Sequence, residues 1–97
     1  MFITKEQVKG LTLKGGAIER GFLDKEGNPH TIVKITRRAG WYGIRVTEYT
    51  PQENQIEGTE CGTIDEAVEK FNHFCKLYLP GKKLQEGYTV RIESRPR

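Results

Sequence analysis

The stretch His30-Thr31-Ile32-Val33-Lys34-Ile35-Thr36-Arg37-Arg38-Ala39-Gly40-Trp41-Tyr42-Gly43-Ile44-Arg45-Val46-Thr47-Glu48-Tyr49-Thr50 decides the fold of this 97-residue chain. Two runs that alternate β-branched with charged residues flank Ala39-Gly40, the pattern of an antiparallel hairpin. With those two residues as the loop, Ile35 lies opposite Ile44, Val33 opposite Val46 and Arg37 opposite Tyr42 on one face. On the other face Lys34 lies opposite Arg45 and Arg38 opposite Trp41. Directly opposed residues of an antiparallel pair share a face, so a correct register must match apolar with apolar, and this one does.

Upstream of the hairpin, Thr4-Lys5-Glu6-Gln7 has the spacing of a capping box, with Ile3 and Val8 as a hydrophobic staple and Gly10 as a stop, which predicts one or two helical turns. Leu11-Thr12-Leu13 predicts a short strand before Gly15-Gly16, residues 17–23 predict a second extended segment, and Asp24-Lys25-Glu26-Gly27-Asn28-Pro29 predicts a turn. Downstream, Thr50-Pro51-Gln52-Glu53-Asn54 is a turn, and residues 55–61 return as a further strand. Thr63-Ile64-Asp65-Glu66 is a second capping box. It opens the run Ile64, Ala67, Val68, Phe71, Cys75, Tyr78 at helical spacing, stopped by Pro80-Gly81. After the basic loop Lys82-Lys83, the alternation of Tyr88, Val90 and Ile92 with polar neighbours predicts a last strand.

These elements make residues 1–97 a single α+β domain: an antiparallel β-meander of four to five strands, one long helix packed across one face, and a short N-terminal helical turn. A chain of this size builds one modest core, and a hydrophobic content of 35% covers one face of a sheet rather than two. The helix is expected over the face carrying Ile18, Phe22, Val33, Ile35, Tyr42, Ile44, Val46, Val90 and Ile92. The opposite face is left uncovered.

Composition narrows the function classes. No apolar run approaches the roughly 18 residues of a membrane span, and Met1-Phe2-Ile3-Thr4-Lys5-Glu6 lacks the apolar centre of a signal peptide, so the expected location is the cytoplasm. Cys61 and Cys75 are too few for a disulfide-stapled secreted domain and are expected as independent reduced thiols, Cys75 in the core and Cys61 near the surface. Cys61 stands just before the N-cap Thr63, where a helix N-terminus lowers a thiol pKa, yet no base is placed beside it by spacing. Cys61, His73 and Cys75 match no zinc spacing, the acidic stretch lacks a calcium-loop pattern, and Gly15-Gly16 lacks the Lys-Ser/Thr of a phosphate loop. No metal, no cofactor and no enzymatic activity are expected.

Charge is unevenly spread. The net charge is +3, yet positions 46–69 hold seven acids (Glu48, Glu53, Glu57, Glu60, Asp65, Glu66, Glu69) and no Lys or Arg. Such a split suits an anionic partner at one end or contact between copies, and it also suits a helix N-terminus rich in acids. The uncovered hairpin face interleaves Lys34, Thr36, Arg38, Trp41, Arg45 and Tyr49, cations with aromatics, which is the pattern of a surface that binds unpaired nucleic acid. The acids Glu57 and Glu60 are expected at an end indifferent or mildly repulsive to such a ligand. Lys82 and Lys83 add a weaker signal for phosphate contact, whereas Lys76 follows from the helix dipole.

The strand Trp41-Tyr42-Gly43 and the capped helix beginning Asp65-Glu66-Ala67-Val68-Glu69-Lys70-Phe71 resemble, in part, the nucleic-acid-associated WGR domains. The resemblance covers about half the chain and lacks the Arg that names the motif, so it assigns no family. Two readings stand. One is a non-enzymatic module binding single-stranded or irregular nucleic acid through Lys34, Arg38, Trp41, Arg45, Tyr49, Lys82 and Lys83. The other is a homo-oligomeric interaction protein, such as a homodimer, or a small regulator or inhibitor, that buries the same aromatic face in self-association or against a protein partner.

Overall fold

The computed structural model describes residues 3–23, 28–49, 52–79 and 88–93, with side chains for 3–21, 28–49 and 52–79. The element order is α1 (Lys5–Lys9), β1 (Lys14–Leu23), β2 (Pro29–Arg38), β3 (Trp41–Glu48), β4 (Asn54–Cys61), α2 (Ile64–Tyr78) and β5 (Tyr88–Glu93). The strands form one sheet in the order β4-β3-β2-β1-β5, with every neighbouring pair antiparallel. β4 at one edge leads into α2, which packs on β2, β3 and β4, and β5 pairs with β1 at the other edge. This is the α+β meander with one long helix that the sequence predicts.

The hairpin register is the predicted one, residue for residue: Val33 pairs with Val46, Lys34 with Arg45, Ile35 with Ile44, Arg37 with Tyr42 and Arg38 with Trp41. Gly40 takes φ +87° while Ala39 keeps a negative φ, so the loop has the single positive φ that a type II turn requires at its second central residue. Val33, Ile35, Ile44 and Val46 are buried on the inner face and meet Ala67, Phe71, Phe74 and Cys75 of α2. Complete burial of an Ile, Val or Phe side chain stabilises by about 1.5–3 kcal/mol, so this sandwich is the main source of stability. Phe74 joins Phe71 from the next turn, on a stripe wider than the sequence run indicates.

Both helix starts carry their threonine caps. Gln7 N–H donates to Thr4 Oγ1 and Thr4 N–H donates to Gln7 Oε1 at 2.8 Å, completing the first capping box. Glu66 N–H donates to Thr63 Oγ1 at 3.2 Å, and the Thr63 hydroxyl donates to the Glu66 carboxylate at 3.3 Å. At the far end of α2 the Tyr78 hydroxyl donates to Glu57 Oε2 at 2.7 Å, tying the helix to β4. Glu57 therefore lies on the helix side of the sheet, where it pairs with Val46.

The N-terminal segment departs from expectation. Leu11-Thr12-Leu13 is not a strand, and β1 begins at Lys14. Its carbonyls are taken elsewhere: Arg37 Nη1 donates to Lys9 O at 2.6 Å and to Leu11 O at 3.1 Å, and Gly16 N–H donates to Thr12 O at 3.2 Å. Asn72 of α2 closes the other side, accepting from Ile3 N–H at 3.0 Å and donating to Ile3 O at 3.2 Å. Ile3, Val8 and Leu11 are thereby held in the core, and α1 becomes a lid on the end of the α2–sheet sandwich.

The alternation that buries Ile18 also buries Arg20, which is 3% exposed and pairs with Val33 on the inner face. The sequence reading of that face omitted it. The side chains of Phe22, Val90 and Ile92 lie outside those described, as do the turn residues 24–27, Thr50-Pro51, the Pro80-Gly81 stop and the Lys82-Lys83 loop. In register, Ile18 pairs with Ile92 and Arg20 with Val90.

Two substitutions test these joints. Thr63→Ala is expected to lower stability by about 1 kcal/mol through loss of the cap. Arg37→Ala is expected to lower it by about 1.5–3 kcal/mol, because it removes charged donors from carbonyls that have no ladder partner. Urea midpoints read both, and a midpoint equal to that of the parent protein removes the corresponding contact from the account of stability.

Candidate functional site

The face opposite α2 is built from three cross-strand rows. The first is Lys14–Arg38–Trp41, the second Glu19–Lys34–Arg45–Gly58 and the third Ala17–Thr36–Gly43–Glu60. Opposed residues share a face, so the register that buries the core sets these side chains together on the other side. Among the described residues no helix packs on this face.

Trp41 is 40% exposed, an unusual degree for the largest apolar side chain. Its six-membered ring reaches back over Gly43, Cζ3 lying 3.2 Å from where a Cβ of that residue would stand. Arg45 is exposed and takes part in no ion pair among the described residues. Arg38 is also exposed, and its guanidinium turns away from Trp41 toward β1, with Nη1 2.9 Å from the Cβ position of Gly15. Gly15 has φ +94°, which marks the irregularity that opens β1. That irregularity sets Lys14 opposite Arg38, a cation on this face that the sequence reading missed because it placed the strand start at residue 17.

Lys34 is less available than its position in sequence implies. Its Nζ lies 3.7 Å from Glu19 Oε2, and both side chains are largely buried. The pair relieves the repulsion between Lys34 and the opposed Arg45, which leaves Arg45 as the cation of that row with no partner. Tyr49 follows the end of β3, half-buried, with its N–H donating to His30 O at 3.0 Å. Eight residues of extended chain set it about 26 Å from Trp41, so the two aromatics do not form one stacking platform. Lys82 and Lys83 lie outside the described residues.

Beside Trp41 the sheet has a depression of about 260 Å³ lined by Trp41, Gly43, Arg45, Gln55, Gly58 and Glu60, with Ile44 and Thr59 completing its floor. Gly43 and Gly58 stand diagonally on adjacent strands, and the absence of two outward side chains makes the hollow. The amide of Gln55 lies across Gly58, Nε2 2.5 Å from its Cβ position. Glu60, assigned by sequence to a remote acidic end, pairs with Gly43 and borders the same hollow as Trp41. Only the β3–β4 register could have shown this.

The cysteines differ from expectation in one respect. Both are free and both are buried, so Cys61 is not a surface thiol. It pairs with Tyr42 on the inner face, under the start of α2. Burial and the Glu66 carboxylate push its pKa up, outweighing Lys70, which is the reverse of activation by the helix terminus. Burial pushes the Cys75 thiol up to about 12, against the opposing charge of Arg20. Neither thiol is a nucleophile at neutral pH.

Among the described residues, no group of three or more His, Cys, Asp or Glu is placed to hold a metal ion, and no helix is long and apolar enough to cross a membrane. No family model, curated protein or solved structure matches the chain.

The sign of the pH dependence follows from the thiols. Cys75 has a folded pKa of about 12 against an ordinary 9.0, so its contribution to stability is complete below pH 9 and is lost as pH rises toward 12. The slope is at most about 1.4 kcal/mol per pH unit. Urea midpoints between pH 8 and 10.5 are expected to fall less steeply in Cys75→Ala than in the parent, and thiol reagents at pH 7.5 are expected to label neither cysteine before unfolding. Equal slopes, or rapid native labelling, would contradict the burial of Cys75.

Proposed function

We propose that this chain is a non-enzymatic binding module that holds single-stranded nucleic acid on the open face of its sheet. The observation that supports the reading is the exposed Trp41 on the same face as two exposed arginines, Arg45 along β3 and Arg38 opposite it with its guanidinium toward β1, neither of which has an ion pair among the described residues. An aromatic ring stacks on an unpaired base whatever its identity, while guanidinium groups neutralise the phosphates on either side. Arg45 lies four residues along β3 from Trp41, about 13 Å, which is within reach of the phosphates next to a base stacked on the ring. Lys14 extends the cationic row beyond Arg38. Lys34, paired with Glu19, and Tyr49, at the far end of β3, are placed at the margin of the site.

Self-association through the same aromatic face is the competing reading, and salt separates the two. Phosphate binding releases counterions and weakens steeply with salt, whereas an aromatic protein interface does not.

Trp41 is the only tryptophan, so intrinsic fluorescence reports this position alone. Mixed-sequence single strands of DNA and RNA at low salt are expected to quench it. Measured by anisotropy of a labelled strand, Trp41→Ala is expected to cost about 1–3 kcal/mol of binding. Arg45→Ala is expected to lower affinity and to reduce the slope of log K against log salt by about 1. If neither polymer quenches or is retained, and light scattering shows a salt-insensitive dimer, self-association is the better account.

A further inference from the structure

We infer that the depression between β3 and β4 reads the base held against Trp41 and selects guanine, an inference that rests on the single-strand reading above. Its shape is the first argument. At about 260 Å³ the hollow falls just short of the roughly 300 Å³ at which pockets for drug-sized ligands begin, a size suited to one planar base. Gly43 and Gly58 carry no outward side chain, so the Trp41 ring turns in over the first and the Gln55 amide over the second, and the hollow is bounded by both.

The polar groups at its border supply the selectivity. Glu60 is exposed and forms no ion pair among the described residues, and a carboxylate here is costly for a face that attracts phosphate. It has a use toward a base edge. An ionised carboxylate only accepts hydrogen bonds, and guanine alone offers it two adjacent donors, N1–H and the N2 amino group. Uracil and thymine present a single donor between two carbonyl oxygens, which a carboxylate repels. Adenine and cytosine present one amino group next to an acceptor, so one carboxylate oxygen is left facing a lone pair. The Gln55 amide, which carries donor and acceptor alike, borders the hollow from the same strand as Glu60, lying across Gly58, and can donate to guanine O6. Trp41 holds the base and Glu60 identifies it.

The test uses the whole chain and labelled twelve-nucleotide strands at fixed low salt: uniform thymine, and the same strand with one central guanine, adenine, cytosine or hypoxanthine. The guanine strand is expected to bind about 10-fold tighter than uniform thymine, the size of discrimination one bidentate contact supplies. Hypoxanthine, which lacks the N2 amino group, is expected to lose most of that advantage. Glu60→Gln, a change at an exposed side chain, is expected to abolish the guanine preference while affinity for uniform thymine holds or rises; unchanged thermal unfolding confirms that the variant is folded. Equal binding of all strands, or a guanine preference that survives in Glu60→Gln, overturns the base-reading site and leaves single-strand binding standing. Failure of every strand to bind overturns single-strand binding, and the base-reading site with it.

Discussion

The pairing of Ile35 with Ile44 and of Val33 with Val46 across the Ala39-Gly40 turn sets the rest of the molecule. Side chains alternate faces along a strand, so a slip of one residue in this pair would send the two core residues of one strand to solvent and bring Arg45 or Lys34 under the helix. Burying an unpaired cation in place of two apolar side chains costs far more than any alternative pairing could return. The core therefore enforces the register, and the register in turn assembles Arg38, Trp41 and Arg45 on the opposite side. The outer face has no packing of its own to order it; it inherits its arrangement from the inner one.

A single helix of fifteen residues, about 22 Å long, can cover only one side of a five-stranded sheet. The chain's remaining apolar residues are used to seal the end of that sandwich, with Arg37 and Asn72 fastening the α1 segment to β2 and α2. Among the described residues the second face carries Trp41, the half-buried Ile32 and the small Ala17 as its apolar side chains. The protein thus has one rigid side and one available side, and the rigid side holds the positions of the available one. For a site that relies on the spacing between a stacking ring and a cation, placement on paired strands gives better definition than a loop would.

What was readable in sequence was local. The hairpin declares itself through alternation and a two-residue loop, and α2 through Thr63 and the spacing of Ala67, Phe71 and Cys75, all within a few residues of one another. What was not readable depends on pairings between distant segments. Lys14 joins the site only through an irregularity at Gly15 that sets it opposite Arg38, and Lys34 loses its freedom to Glu19 on a different strand. Cys61 is buried because the start of α2 folds back over it, a tertiary effect that reverses the pKa shift its place in sequence suggests. Leu11-Thr12-Leu13 has strand-like residues, but Arg37, 26 to 28 positions away, takes the carbonyls of Lys9 and Leu11 at the approach to β1. Glu60 is the most instructive case. A run of acids looks like one feature when read along the chain, yet strand alternation divides it, sending Glu57 to Tyr78 under the helix and Glu60 to the hollow beside Trp41.

That division bears on how a face of mixed sign would serve an anionic polymer, the ligand class proposed above. Arg45 and Glu60 border the same hollow, so under the proposed reading the carboxylate subtracts from the attraction of the arginines for phosphate. Taken alone that is a loss of affinity for every strand. The loss is not equal for all bases, however, because a base that donates two hydrogen bonds to the carboxylate recovers it and a base that turns acceptors toward it does not. Discrimination is a difference between affinities, and a repulsive group set beside an attractive one is an effective way to enlarge it. The glycines at 43 and 58 set the shape this depends on: a Cβ at 43 would press on the Trp41 ring and one at 58 on the Gln55 amide, the two groups that border the hollow with Glu60.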